Sequence, residues 1–527
     1  MNKSVAVFGI IVLLAVTASA EEYLTSTCYS VLTGDLVNVI DVEDIDSNGV
    51  PNILVGTSVD GKLYNFIYKG AECSLDWSAM KSGGWVYDSS GDLRSIKVVD
   101  LLADGRKQIV MNSVKSSFPG AKTPGPYLRA ISQNAIDFWS FRDECGFSFS
   151  IDAADIDGTG KPNVVFGTMG KYVCVLKDSK NGLLEKNAVL WKYLAKNQVH
   201  YVKSIDIDGD GKVETVALDK EYLTSNLYAL DNMGQLKWQV PIEGGVHKPV
   251  LPANIMDVRD INGDGKAETV VGTYKKGIRA YDSKGAELWT YDTGKLVTAL
   301  LVDDLNGDGR YETVAGAAPN LVVLDSTGTP EWTWTMEAKN GSINSMSAYD
   351  VDGDGRKEVI VGATKYLYVL DDDGSLKGGW QYITEIQGGD KAYTQRDANA
   401  VGVAAGDFDS DGEAEVVAAW NWEDDTIRGN QYSTTIRVYE INKNYVPTTT
   451  LRATEATIPA GQGGSQGGEE TADTTDTTME AEPDVTEETI APESDKKSGP
   501  CSFLPMLPAL LALGAALALK VPFAARR

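Results

Sequence analysis

The sequence predicts an all-β chain folded as an eight-bladed β-propeller, with a seven-bladed ring as the alternative count. Three observations lead there. An acidic loop, complete at Asp350-Val351-Asp352-Gly353-Asp354-Gly355-Arg356-Lys357-Glu358, recurs along the chain, its first Asp at 44, 100, 155, 206, 260, 304, 350 and 407. Successive copies lie 44 to 57 residues apart, the length of one four-stranded blade. Between the loops run apolar stretches of four to six residues bounded by Gly and Asp, right for strands and too short for helices.

Taken from the N-terminus, residues 1–20 read as a secretory signal. Lys3 supplies the positive start, Val5 to Val16 the apolar core, and Ala18-Ser19-Ala20 the small-residue cleavage site. The propeller is assigned to 21–453. Within it, Thr298 to Val302, Thr313 to Ala317, Leu321 to Leu324 and Glu331 to Trp334 give the four strands of one unit, with the turn Ser326-Thr327-Gly328 before the last. A tryptophan recurs on the fourth strand, at Trp85, Trp139, Trp191, Trp289 and Trp334 by spacing, and further from the next loop at Trp238 and Trp380. Its regular recurrence predicts a packing wedge between neighbouring sheets. The last unit offers three strands, Val401 to Gly406, Val416 to Trp420 and Thr434 to Glu440. Leu24 to Val31 is placed to supply the missing fourth and remove the sheet edge, with Tyr445 to Arg452 as its competitor.

Past the propeller, residues 454–500 are rich in Thr, Glu, Gly and Pro and poor in large apolar side chains, the composition of a solvated stalk. Residues 501–527 carry an apolar run from Phe503 to Leu519 and a basic end at Lys520, Arg526 and Arg527, predicting a short membrane helix or a sorting signal. The expected location is therefore the cell surface, with the chain exported and its C-terminus anchored in the membrane.

Composition bounds the function. At 527 residues and 43% apolar content the chain can bury a large core. A formal net charge of −27 argues against nucleic acid or an anionic lipid surface as partner. The five cysteines show no CxxC spacing, which excludes a zinc ribbon or thioredoxin-like site. Cys28, Cys73, Cys145 and Cys174 are candidates for pairing outside the cell or, equally, buried thiols.

Alternate acidic side chains in a tight loop converge on one point, and hard oxygen ligands at that density suit Ca²⁺. An EF-hand is excluded: the twelfth positions are Ala217, Val271, Ala315, Val361 and Ala418, and a β-branched run rather than a helix follows each loop. The expected ligand sets are Asp206, Asp208, Asp210, Lys212 and Glu214; Asp260, Asn262, Asp264, Lys266 and Glu268; Asp304, Asn306, Asp308, Arg310 and Glu312. Two more are Asp350, Asp352, Asp354, Arg356 and Glu358; and Asp407, Asp409, Asp411, Glu413 and Glu415. In each, the seventh residue contributes its carbonyl. Weaker sets are Asp44, Asp46 and Asn48, and Asp155 and Asp157, while Leu102 and Gln108 leave the loop at Asp100 without a site. The expected role of the ion is to staple blades, not to catalyse.

Ligand binding is expected on the calcium-free face, built by second-to-third and fourth-to-first connections. The long ones are Ser113 to Pro126, Pro241 to Pro252, Ile383 to Ala398 and Asn421 to Gln431. The last two hold Asp390, Lys391, Tyr393, Arg396, Trp422, Glu423, Asp424 and Arg428, a mixed-charge and aromatic set suited to glycan or protein. No GxSxG, HExxH or phosphate-cradling loop occurs, which leaves acid and base work open to His200 or His247, both on connections leading into first strands, or to Asp/Glu/Lys pairs. No catalytic residue is therefore assigned.

The repeated D-x-[DN]-x-D-G-x-x-E loop between two short strands, with Val165-Phe166-Gly167-Thr168 in the third unit, resembles the FG-GAP/VCBS repeat family of integrin-α-like calcium-binding β-propellers. The resemblance covers about residues 24 to 450 and implies the fold and Ca²⁺. It leaves function open among adhesins, lectin-like modules, lyases and structural proteins. Segments such as Leu227 to Trp238 are similar to quinoprotein-type propeller repeats, but this chain lacks the adjacent cysteines of the alcohol-oxidising members. The C-terminal trio of Gly499-Pro500-Cys501, apolar run and basic end resembles signals read by exosortase or archaeosortase enzymes. The expected role is adhesion or recognition at the cell surface; the alternatives are a lyase-like enzyme on polysaccharide and a structural envelope component.

Overall fold

A computed structural model describes residues 23–33, 35–70, 84–114, 128–142, 145–177, 188–221, 223–246, 255–336, 341–382, 398–424, 431–443 and 454–455. All strands belong to eight antiparallel sheets, and no α-helix occurs among the described residues. The sheets are the eight blades of a propeller. Blade 1 runs from Val37–Glu43 to Trp85–Asp88, and blades 2 to 7 follow in chain order with one acid loop each.

Ring closure follows the expectation. Leu24–Thr33 pairs antiparallel with Gln431–Ile441, from Leu24 opposite Ile441 to Thr33 opposite Ser433. The N-terminal strand thus becomes the fourth strand of blade 8, and the competitor, Tyr445 to Arg452, lies outside the described residues. Thr454–Glu455, assigned above to the stalk, instead adds a short fifth strand to blade 6 opposite Thr333 and Trp332.

The core is divided into eight apolar clusters, each bridging two consecutive blades, including one between blades 8 and 1. Second strands such as Glu312–Ala317 and Glu358–Ala363 are buried at every residue, because neighbouring blades cover both of their faces. That is why they read as continuous apolar runs. Fourth strands such as Glu287–Tyr291 form the outer edge and stay half exposed.

The recurring tryptophans are wedges, as expected, and the structure shows what they wedge against. Nε1–H of Trp191 donates to Asn232 O at 3.1 Å, Trp238 to Ser283 O at 2.9 Å and Trp289 to Ser326 O at 3.1 Å. Each acceptor lies in the third-to-fourth turn of the next blade. The ring rests on that turn's glycine: a Cβ on Gly234, Gly285 or Gly328 would fall 2.5–2.9 Å from the indole. All three glycines also have positive φ, so the position requires glycine on two counts.

Spacing misplaced one wedge. In blade 6 the docking residue is Trp332, whose Nε1–H donates to Asp372 O at 2.6 Å, while Trp334 packs edge-to-face on Tyr368 at 4.8 Å. Blade 7 has no such tryptophan: Gly378 occupies the register position opposite Val369, and Tyr23 fills the space above it. Trp380 instead joins Tyr382, Trp420 and Tyr439 in an aromatic group between blades 7 and 8. Cys145 and Cys174 form a disulfide, Cys28 is buried in the core, and Cys73 lies outside the described residues.

Candidate metal loops on one face of the ring

Each acid loop joins the first strand of its blade to the second, and the same backbone frame recurs in all eight. The first Asp caps the loop: Asp206 accepts from the N–H of Gly209 at 2.8 Å and of Gly211 at 2.8 Å, and Asp350 likewise from Gly353 and Gly355. The fifth-position Asp accepts from the seventh N–H, as Asp354 does from Arg356 at 2.9 Å. These bonds bend the loop without help from an ion.

The ninth residue closes it. One oxygen of its side chain accepts from the second residue's N–H: Glu214 from Ile207 at 3.1 Å, Glu268 from Ile261 at 3.0 Å, Glu312 from Leu305 at 2.8 Å, Glu358 from Val351 at 2.8 Å, Glu415 from Phe408 at 2.8 Å. Asn52, Gln108 and Asn163 do the same for Ile45, Leu101 and Ile156. The acceptor side chain is buried in every blade. In blade 2 the spare Gln108 amide donates to Arg106 O at 2.6 Å, so the loop expected to lack a site is closed by its own amide. In blade 3 the Asn163 amide turns toward Asp157 at 3.4 Å, and Asp155 caps Thr159 and Gly160. In blade 1 Asp44 caps Asn48 and Gly49, and Asn48 caps Val50, with Asp46 exposed.

Sequence reading passed over the second residue. Ile45, Leu101, Ile156, Ile207, Ile261, Leu305, Val351 and Phe408 are all apolar and all buried. Their carbonyls link the loops: Ala267 N–H donates to Ile207 O at 3.0 Å, Tyr311 to Ile261 O at 3.1 Å and Lys357 to Leu305 O at 2.7 Å. Loops of blades 4 to 7 are thereby tied into one chain along the ring. The unbroken apolar second position was the signal available for this.

Among the described residues, three sets of carboxylates come together closely enough to hold a metal ion: Asp206, Asp208 and Asp210; Asp350, Asp352 and Glu358; Asp407, Asp409 and Glu415. Their donor set, all carboxylate oxygen, suits a hard cation. In the loops at Asp260 and Asp304 the third-position amides Asn262 and Asn306 cap Asp264 and Asp308, and the Asn306 amide also donates to Glu312 at 3.3 Å.

Local charge separates these loops. Burial, only partly offset by the Ile261 N–H and increased by Asp264 and Asp260, pushes Glu268 up to about 7. Burial likewise raises Glu312 to about 7 and Glu415 to about 8, with Asp409 and Glu440 adding to the latter. Glu214 and Glu358 are also raised by burial, but Lys237 and Lys377 pull them back. Burial alone would lower the Lys377 ammonium; the Asp352 and Glu358 carboxylates outweigh it and hold the group above its ordinary value.

The region from one acid loop through the next is the repeating unit, and one such region is recognised by comparison. Residues 350–418 match the family model described as the FG-GAP-like repeat. This FG-GAP-like stretch runs from the loop of blade 7 to the second strand of blade 8. No curated protein matches the chain. Among solved structures, BBS1N in complex with ARL6DN is 12% identical, with 69% of this chain and 99% of that chain covered and a TM-score of 0.43. BamB from Moraxella catarrhalis is 13% identical, covering 79% and 100%, TM-score 0.44. The V. cholerae biofilm matrix protein Bap1 is 16% identical, covering 82% and 90%, TM-score 0.37.

Next to the FG-GAP-like stretch lies the set expected to bind a ligand. Asp390, Lys391, Tyr393, Arg396 and Arg428 fall outside the described residues. Trp422, Glu423 and Asp424 do not sit on a loop: they end the strand Glu415–Asp424, opposite Ser433, Tyr432 and Gln431. The hairpin continues past the blade, so the connection read from Asn421 to Gln431 is shorter than expected. Trp422 is half-buried, packs against the blade 7–8 cluster and donates to Thr435 Oγ1 at 3.3 Å. Two further long connections, from Phe66 to Trp85 and from Leu176 to Val189, join third to fourth strands, whose joined ends are at the acid-loop end of the blade. His200 stacks on Phe149 at 4.0 Å, and His247 is outside the described residues. Among the described residues no helix is long and apolar enough to cross a membrane; the C-terminal apolar run is outside them.

Proposed function

We propose that this propeller is an exported, calcium-stapled recognition module that binds a glycan or protein ligand on the face opposite the acid loops, held at the cell surface by its C-terminal segment. The observation that carries the reading is the division of labour between the two faces. Acid loops are bonded into their own blades and, in blades 4 to 7, to one another, which makes their face a structural rim. From the strand ends at the other end of the ring leave three long connections, between Asn112 and Leu128, Glu243 and Met256, and Gln381 and Asn399, against two, between Phe66 and Trp85 and between Leu176 and Val189, at the acid-loop end. Long connections on a rigid ring are the usual place for recognition. The signal-like N-terminus, the Cys145–Cys174 disulfide and the apolar, basic-ended C-terminus support export and anchoring.

Calcium fits the donor sets, and Glu415 offers a buried carboxylate oxygen, Oε1, with no hydrogen-bond partner among the described residues. Loops with three clustered carboxylates repel themselves without a cation. Chelation with EDTA should therefore lower the melting temperature of the full chain by several degrees in calorimetry, and added Ca²⁺ should restore it. An unchanged transition removes calcium from the proposal. Binding is tested with a glycan array and a panel of extracellular proteins. Dose-dependent capture that survives Asp100→Ala, on the acid-loop face, supports the module; cleavage of a polysaccharide without stable binding favours an enzyme instead.

A further inference from the structure

Among the described residues three clusters can hold a cation, but two of them already meet one. In blade 4 the Lys237 ammonium lies 2.6 Å from Asp208 Oδ2 and 3.0 Å from Glu214 Oε1. In blade 7 the Lys377 ammonium contacts Asp352 Oδ2 and lies 2.7 Å from Glu358 Oε1, with Asp371 at 3.4 Å. In both blades the lysine bridges the third and ninth positions of the acid loop, the carboxylates a divalent ion would share.

The two lysines hold one structural position. Each is the extra residue where the register between third and fourth strands slips, between Ala229/Leu230 opposite Trp238 and Leu236, and between Val369/Leu370 opposite Gly378 and Leu376. Such a bulge re-aims its side chain, here back toward the loop of its own blade. In blade 8 the matching slip lies between Ser26 and Cys28, and the residue there is Thr27. Its hydroxyl meets Tyr68 at 3.1 Å and brings no charge. Asp208 Oδ1 in blade 4 and Glu415 Oε1 in blade 8 are both buried without a hydrogen-bond partner among the described residues, but Lys237 already neutralises the first, whereas the cluster Glu415 forms with Asp407 and Asp409 meets no ammonium among the described residues.

We propose that Lys237 and Lys377 are the resident cations of the loops at Asp206 and Asp350, and that the divalent ion is taken by the loop at Asp407, through Asp407, Asp409 and Glu415. The loop that looks most complete in sequence is thus closed by the chain itself. An ion entering it must expel an ammonium or share the cage with it, and like charges at that distance repel strongly. The open loop sits at the seam where the ring closes. A Cβ on Gly70 of blade 1 would fall 2.2 Å from Asp409 Oδ2, so blade 1 backbone abuts the cluster. Tyr68, also of blade 1, hydrogen-bonds Thr27 and Glu440 of blade 8 beside it. The ion would therefore act on the seam that joins the two ends of the propeller.

The calcium-binding half of this rests on the function proposed above; the lysine half does not. The test is Ca²⁺ titration calorimetry on the full chain, wild type against Asp409→Asn, Asp352→Asn and Lys377→Met. Asp409→Asn should weaken the tightest site by about tenfold or more, because affinity follows ligand charge. Asp352→Asn should leave the number of ions bound unchanged. Lys377→Met should bind one more ion than wild type, and its melting temperature should rise further with Ca²⁺ than that of wild type. If Lys377→Met is unfolded without metal, folding on addition of Ca²⁺ is the same gain. Loss of an ion in Asp352→Asn overturns the lysine assignment while leaving calcium binding intact. A wild-type protein that takes up no Ca²⁺ overturns the open site, and with it the calcium part of the proposed function.

Discussion

Trp332→Ala should cost the propeller about 3–5 kcal/mol, the range for emptying a buried aromatic site. Trp332 is buried on the fourth strand of blade 6 and belongs to the cluster shared with blade 7. Truncation removes the ring and also leaves Asp372 O without the indole N–H that reaches it at 2.6 Å. Trp332→Phe keeps most of the area and loses only the donor, so its cost should be nearer 1–2 kcal/mol. Trp289→Ala, whose ring is half-buried, should fall between the two. Calorimetric melting of the three variants orders them without relying on tryptophan fluorescence. A Trp332→Ala variant no less stable than Trp332→Phe would show that area, not docking on the next blade's turn, is irrelevant at this seam.

The same tryptophans show how far the sequence could be read. Fold class, blade count and ring closure were legible because each rests on a pattern repeated many times: the acid loop, the short apolar runs and a strand-like stretch at the N-terminus matching the gap at the end. Spacing points to Trp334, and not to the docking residue Trp332, for a physical reason. Spacing was measured forward to the next loop, across a fourth-to-first connection of variable length. The docking position is set backward, by pairing with the third strand, where Trp289 opposes Ala280 and Trp332 opposes Val323. Counting from the turn glycine would have found it.

Within the loops, ligand positions could be read from the acidic spacing, but their neighbours could not. Lys237 and Lys377 are 19 to 29 residues from the loop carboxylates they meet and reach them only because a bulge turns them inward. A bulge depends on pairing register, which a single sequence leaves open. Trp422 was read as a loop residue because its strand outruns the apolar run that marks the blade. The hairpin from Glu415 to Ile441 is held there by ladder bonds and by the aromatic group around Trp420 and Tyr439, a long-range feature with no local signature.

Glu358→Ala should cost about 3–5 kcal/mol, the range for breaking a buried ion pair from one side. Two losses coincide. Val351 N–H, buried at the second position, loses the acceptor it holds at 2.8 Å. Lys377 loses the carboxylate at 2.7 Å and is left to Asp352 and the more distant Asp371. Glu358→Gln separates the two. Its amide oxygen can still accept from Val351, as Gln108 does from Leu101 at 2.8 Å in blade 2, so only the charge is removed. The cost should then fall to roughly 1–2 kcal/mol, since Asp352 still faces the ammonium. Denaturant unfolding of both variants in EDTA takes calcium out of the comparison. Equal losses for Ala and Gln would mean that the charge pair dominates and the backbone bond at the ninth position matters little. A loss below about 1 kcal/mol in Glu358→Ala would remove the ninth residue as the closing element of the loop.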